Sequence, residues 1–100
     1  MNRIDKIVEK LKEYEPEKII LFGSAARGEA DEYSDLDFLI IKETNLRFLR
    51  RLIEVGKILK EFSKVDVFVY TPKEFAEMKS RKNPFIEQAL RNGRVVYEKM

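Results

Sequence analysis

Two short stretches decide how this sequence is interpreted: residues 21–28 read LFGSAARG and residues 34–37 read SDLD. The first begins in an apolar run that stops at Gly23, which is typical of a buried strand ending in a tight turn. We expect Ser24 to cap a short helix there and Gly28 to stop that helix. The second stretch leads into another apolar run, which indicates a strand with aspartates at its start. The sequence thus predicts a glycine-serine turn and a carboxylate pair at the ends of two strands.

Outside these stretches, helix-like and strand-like segments alternate. Apolar spacing predicts an amphipathic helix up to about Tyr14, and a capping-box pattern at Thr71 predicts the start of a later one. A longer helix is indicated by the apolar series Leu46, Leu49, Leu52, Ile53, Gly56 and Leu59. A further helical turn is expected between Asn83 and Gly93, and strands are expected at residues 19–22, 35–41, 65–70 and 95–97. This order predicts an α/β (α+β) fold, a small mixed β-sheet flanked by helices, in a single domain of residues 1–100.

The composition excludes several kinds of chemistry. The 100 residues include no Cys, His or Trp, so disulfides, thiolate nucleophiles and imidazole ligands are ruled out. Catalysis would have to use carboxylates, hydroxyls, amines, backbone amides and a hard metal ion. A net charge of +2 is too balanced to indicate nucleic-acid binding. With no membrane-length apolar run and no signal-peptide pattern, a cytoplasmic protein is expected.

Three of the aspartates lie where strands are normally apolar. Asp35 and Asp37 are two residues apart, so their carboxylates share one face of the strand, and Asp66 lies within the apolar run VDVFV. If the two strands pair, the three carboxylates converge and repel one another unless a cation lies among them. Oxygen ligands alone favour Mg²⁺ or Mn²⁺. The alternative is that Asp35 caps a turn, Asp37 forms a surface ion pair and Asp66 lies on an exposed edge.

The glycine-serine turn is a candidate anion site. Gly23 permits close backbone approach, and the Ser24 hydroxyl adds a donor beside the amides that open the next helix. Arg27 could bind a phosphate or a carboxylate. Each residue also has a simpler interpretation, in which Gly23 forms the turn, Ser24 caps the helix and Arg27 holds the loop by a salt bridge.

Taken together, the motif resembles the signature of nucleotidyltransferase domains of the DNA polymerase β superfamily, above all the minimal nucleotidyltransferases. In that group a Gly-Ser-x-Ala-Arg-Gly turn precedes a Ser-Asp-x-Asp strand, and Asp66 matches the third carboxylate; the resemblance spans residues 1 to about 97. It implies a polymerase-β-like fold, with ATP or another nucleoside triphosphate bound at Gly23, Ser24 and Arg27. It also implies two metal ions held by Asp35, Asp37 and Asp66, the last helping to activate the attacking hydroxyl.

The resemblance further implies a partner, because minimal nucleotidyltransferases resemble antitoxins that act on HEPN-domain toxins. The expected activity is Mg²⁺-dependent transfer of a nucleoside monophosphate, AMP from ATP, to a toxin tyrosine. A non-catalytic antitoxin or nucleotide-binding module that neutralises its partner by complex formation is the alternative, and transfer to a small molecule is a third. The nucleobase preference, the acceptor and the oligomeric state stay open.

Basic residues on the predicted long helix give a weaker signal. Arg47, Arg50 and Arg51 could contact nucleic acid. The usual interpretation of such residues is a solvated helix face, which we favour.

Overall fold

The computed structural model describes residues 2–28 and 34–100. Its strands are β1 (Lys18–Phe22), β2 (Leu36–Ile41), β3 (Val65–Tyr70) and β4 (Arg94–Glu98). Its α-helices are α1 (Arg3–Leu11), α2 (Phe48–Ile58), α3 (Pro72–Ser80) and α4 (Pro84–Asn92), and short 3₁₀ segments occupy Lys12–Tyr14 and Gly23–Ala25. The predicted mixed α/β fold is confirmed. In the described part of the chain, no helix is long and apolar enough to cross a membrane.

The four strands form one mixed sheet in the order β3-β2-β1-β4. β1 pairs antiparallel with β2 and with β4, whereas β2 and β3 are parallel. Parallel neighbours need a crossover connection, and α2 provides it. The register places Phe22 opposite Asp37, and Asp37 opposite Asp66. Convergence of the carboxylates required the two aspartate-bearing strands to pair, and β2 and β3 do pair.

Helices cover both faces of the sheet. Phe38 lies on the side of α1 and α2, packed with α1 residues such as Leu11, and both side chains are fully buried. Leu39 lies on the other side, in a smaller cluster with Ile86 of α4. Because strand side chains alternate, Asp37 shares the α3/α4 side with Leu39. The aspartates thus lie on the side of the sheet that carries the smaller apolar cluster.

The apolar series expected to bury α2 turns out to be divided between two sides of the helix. Leu49 is 70% exposed and Ile53 49% exposed, whereas Val55 and Arg51 are buried. The prediction that Arg51 belongs to a solvated face is wrong, because its guanidinium is bound to Glu74 at the start of α3. Leu52 and Leu59 of the series do pack in the core, so the inward side of α2 is shifted from the one that the full series suggests, and the buried Arg51 is part of it.

The prediction that Ser24 caps a helix is also wrong. The segment Gly23–Ala25 is a 3₁₀ turn that follows Phe22 without a side-chain cap, and the Ser24 carbonyl accepts a hydrogen bond from the Arg27 amide at 3.1 Å. Gly23 begins the turn with φ of +74°. The backbone conformation of the glycine, and not a serine cap, redirects the chain after β1.

Candidate active site

The two central strands bring Asp37 and Asp66 together. They occupy paired positions on parallel strands, so both carboxylates project from the same face of the sheet. Asp35 lies one residue before β2 and is exposed, as is Asp66, whereas Asp37 is half-buried. Of the three predicted carboxylates, Asp37 and Asp66 form the close pair and Asp35 lies at its entrance.

The surroundings of Asp37 raise its pKa above the ordinary aspartate value. Burial is the largest cause, followed by the negative charges of Asp66 and Asp35 and by the hydrogen bond with Asp66. Each of these effects disfavours the ionised form. A cation among the three groups would relieve the repulsion, so the local electrostatics suit a positively charged ligand.

The donor set fits a hard divalent ion such as Mg²⁺ or Mn²⁺, because every candidate ligand is a carboxylate oxygen. In residues 2–28 and 34–100, no group of three or more acidic side chains is already arranged to enclose a metal ion. Asp35, Asp37 and Asp66 therefore remain predicted ligands of a metal ion. A bound cation would stabilise the ionised form of Asp37, which its surroundings disfavour.

The turn after β1 lies directly against Asp37. A methyl group built on Gly23 would come within 2.6 Å of the Asp37 Oδ2 atom, and the positive φ of Gly23 is itself unfavourable for any other residue. Two separate constraints therefore require glycine here. The close approach places the predicted phosphate-binding turn and the carboxylate pair side by side.

A cavity of about 280 Å³ opens beside this contact. One wall contains the predicted residues Gly23, Arg27 and Asp37, and α4 supplies the opposite wall. The lining residues not singled out from the sequence are Phe22, Phe85, Gln88, Ala89 and Asn92. Gln88 and Asn92 are four residues apart, and that spacing could have indicated a shared polar face on the helix. The cavity combines a guanidinium, amide side chains and aromatic rings beside the Asp37 carboxylate, whereas Ser24, Asp35 and Asp66 are not among its lining residues.

Arg3 is a further residue that sequence reasoning missed. Its Nη1 atom donates to the Ser34 carbonyl at 2.8 Å, and its Nη2 atom donates to the Ser63 and Lys64 carbonyls at 3.0 and 3.1 Å. Ser34 immediately precedes Asp35, and Lys64 precedes β3, which carries Asp66. One guanidinium from α1 thus ties together the two segments that lead into the carboxylate-bearing strands.

Comparison with known families gives a match over almost the whole chain. The sequence profile of the nucleotidyltransferase domain family covers residues 4–97. A relative from Methanocaldococcus jannaschii, provisionally named a protein adenylyltransferase, is 42% identical over 72 residues, which are 69% of this chain and 46% of the relative. The chain thus spans about half the length of that relative.

Two solved structures show the same fold at low sequence identity. A toxin–antitoxin structure with AMP-PNP aligns with a TM-score of 0.65 and 22% identity, covering 99% of this chain and 76% of that one. A Shewanella oneidensis structure of a tri-AMPylated HEPN toxin in complex with an MNT antitoxin aligns with a TM-score of 0.60 and 20% identity, covering 95% and 69%. At these identities the likeness is one of fold.

Proposed function

Because this chain belongs to the nucleotidyltransferase domain family, we propose that it transfers AMP from ATP to a hydroxyl group of a protein partner. The observation that supports this most directly is the half-buried Asp37, placed between Asp66 and the Gly23 turn. The name of the M. jannaschii relative and the AMPylated toxin in the Shewanella structure point to the same class of reaction. We propose residues 1–100 as one minimal transferase domain acting in the cytoplasm, where ATP is available.

Asp35, Asp37 and Asp66 would hold Mg²⁺ or Mn²⁺. When bound, such ions neutralise charge on the α-phosphate and lower the pKa of the attacking hydroxyl. The carboxylates position that hydroxyl in line with the leaving group, and Asp66 accepts its proton. The acceptor oxygen then bonds to the α-phosphorus, and the bond from that phosphorus to the bridging oxygen of the departing pyrophosphate breaks.

The turn and the cavity would bind the nucleotide. Backbone amides near Gly23 and the hydroxyl of Ser24 donate to phosphate oxygens, while the Arg27 guanidinium offsets their charge. The cavity wall from α4 can accommodate the nucleoside, because its rings and amides are uncharged. The phosphates of ATP would thus contact the amides and the guanidinium of the turn, and the nucleoside would contact the uncharged wall from α4.

For the partner we propose a HEPN-type protein modified on a tyrosine, so that the chain acts as an antitoxin. The test incubates the purified chain with Mg²⁺, ATP labelled at the α-phosphate and the protein encoded by the neighbouring gene. Label is expected on a tyrosine of that protein, and replacing this tyrosine by phenylalanine should remove it. Failure of all four nucleoside triphosphates to label the protein, with Mg²⁺ and with Mn²⁺, would contradict the proposal.

A non-catalytic antitoxin is the competing function, in which complex formation alone neutralises the partner. The double variant Asp35→Asn/Asp37→Asn separates the two. If it still binds the partner but no longer neutralises it, transfer is required. Equal neutralisation by parent and variant would favour the binding module.

Substitution of Gly23 by alanine should reduce AMP transfer about 100-fold, because the new methyl group displaces the Asp37 carboxylate. Gly28→Ala is the matched control: Gly28 has an almost identical φ of +75°, but a methyl group there meets no atom of residues 2–28 and 34–100 within 4 Å. In thermal unfolding, Gly28→Ala should lose roughly 1 kcal/mol of stability from its positive φ, and Gly23→Ala should lose at least as much because the contact with Asp37 is added. Equal transfer rates for the two variants would show that Asp37 tolerates the added methyl.

Arg3→Met should lower transfer roughly 10- to 100-fold, since the segments before β2 and β3 lose the guanidinium that joins them. We treat Arg3 as a positioning residue, so the Mg²⁺ concentration giving half-maximal activity should also rise. Lys6→Met, at an exposed position on the same helix, is the control. A reduced melting temperature with an unchanged Mg²⁺ dependence would assign Arg3 a purely structural role.

A further inference from the structure

An apolar stripe runs along the side of α2 that faces away from the sheet. Leu46 just before the helix and Leu49 and Ile53 within it are 37%, 70% and 49% exposed. Leu49, Ile53 and Gly56 are spaced by four and three residues within α2, so they lie on one side of the helix, and Leu46 adds exposed apolar surface just before its start. We call Leu46, Leu49, Ile53 and Gly56 the outer face of α2. Contiguous exposed apolar residues of this kind mark interaction surfaces, whereas scattered ones do not.

Gly56 is not required by close packing among residues 2–28 and 34–100. It lies inside α2, where glycine is less favourable than alanine, and its φ is not positive. A methyl group built on it meets no atom of those residues within 4 Å. A missing side chain would, however, let the backbone of a bound partner approach the helix closely.

The border of the outer face is basic. Arg50, Lys57 and Lys60 are exposed along it, and none of them forms an ion pair with a residue in 2–28 or 34–100. Glu54 is the one acidic residue within the helix on its exposed side. Two copies of this surface placed against each other would bring like charges together, which disfavours a second copy of the chain as the occupant.

We propose that the outer face of α2 docks an amphipathic helix of another protein, with an apolar stripe flanked by acidic residues. Anchors spaced by three or four residues match the helix-on-helix mode of recognition, and the acidic flanks complement the unpaired cations. α2 covers the side of the sheet opposite Asp37 and Asp66, so a partner bound on its outer face would leave the candidate active site open. Docking at this surface does not depend on the transfer reaction.

The test uses two helical peptides of about 15–20 residues with the same leucine positions, one flanked by glutamates and the other by lysines. Each is titrated into the full chain and followed by amide NMR shifts. The glutamate peptide should shift α2 resonances and bind at least about tenfold more tightly than the lysine peptide, with the difference falling as salt is added.

Single-residue variants test whether the outer face of α2 is the binding surface, and their melting temperatures show whether folding is affected. Leu49→Gln and Ile53→Gln should each weaken peptide binding several-fold with an unchanged melting temperature, whereas Val95→Thr, an exposed apolar position on β4, should not. Gly56→Gln should raise the melting temperature, because glutamine favours helix, and yet weaken binding. A purely structural glycine would show no effect on binding.

Three results would overturn the proposal. These are equal affinity for the two peptides, shifts centred away from α2, and a dimer of this chain that Leu49→Gln dissociates. The last would make a second copy the occupant. Absence of AMP transfer by a parent chain that binds the glutamate peptide would leave docking intact and count against the proposed reaction alone.

Discussion

The Asp37→Asn variant should lose AMP transfer by roughly 1,000-fold or more while folding at least as stably as the parent. The loss follows because stabilisation by bound divalent ions is worth several kcal/mol, and each 1.36 kcal/mol is about tenfold in rate. Stability is expected to hold or rise because burial and the charges of Asp66 and Asp35 disfavour the ionised Asp37. A neutral amide of the same shape removes that repulsion. Transfer of α-labelled phosphate and thermal unfolding measure the two effects.

Asp5→Asn is the matched control for that variant, because Asp5 is an exposed aspartate on α1, away from the sheet. A second measurement does not depend on turnover: Mg²⁺ should raise the melting temperature of the parent and of Asp5→Asn, but much less that of Asp37→Asn. An Asp37→Asn variant with near-parental transfer, or with an unchanged Mg²⁺ effect, would remove Asp37 from the site.

Local patterns in the sequence were sufficient to predict the sheet and to select two aspartates, Asp37 and Asp66, that occupy paired positions in it. The apolar runs gave β1 and β2 within a residue, and the capping box at Thr71 is present, with its side chain bonded to the Glu74 amide. Asp37 and Asp66 were recognisable because carboxylates are rare inside apolar strands. Each of these patterns depends only on a residue and its neighbours in the chain, so distant contacts do not alter its interpretation.

Residues whose roles depend on distant partners could not be predicted in this way. Arg3 contacts carbonyls 31 to 61 positions away, and its neighbours in α1 give no sign of this. Gln88 reaches the cavity because Phe85 of α4 packs edge-on against Phe22 of β1, with ring centroids 5.6 Å apart. Leu49 and Ile53 look like core residues by spacing, yet Arg51 occupies the inward side of α2. In each case a tertiary contact overrides the local pattern.

Arg51 replaces an apolar core residue, and the hydrogen bonds it makes explain why this is stable. Its side chain is 6% exposed and donates to the Leu46 and Val69 carbonyls at 2.7 and 3.1 Å. It also contacts Glu74, with Nη1 to Oε1 at 2.7 Å and Nη2 to Oε2 at 3.2 Å. The same Glu74 oxygen, Oε1, accepts the Thr71 amide at 2.8 Å, which closes the capping box of α3. The guanidinium therefore links α2, β3 and α3, and it provides a partner for the carbonyl of the fully buried Val69.

Arg51→Met should accordingly lower the free energy of unfolding by about 2–3 kcal/mol, less than for a fully buried pair because the Glu74 side chain is 42% exposed. Arg50→Met, at the exposed neighbouring position, should change it by no more than about 0.5 kcal/mol. The hydrogen bond from Arg51 holds the pKa of Glu74 below its ordinary value of 4.5. Glu74 therefore adds stability that is present above that value and is lost as the pH falls through its lowered pKa.

Denaturant unfolding of the parent and of Arg51→Met from about pH 7 downward checks this coupling. The difference between the two proteins should be largest at neutral pH and should shrink as Glu74 becomes protonated, because the methionine variant has no partner left to lose. Arg51→Met/Glu74→Gln should be more stable than the sum of its single variants predicts, since removing both partners leaves no unpaired carboxylate. A difference that stays constant with pH would mean that the carbonyl contacts of Arg51, and not its ion pair with Glu74, hold α2 against β3.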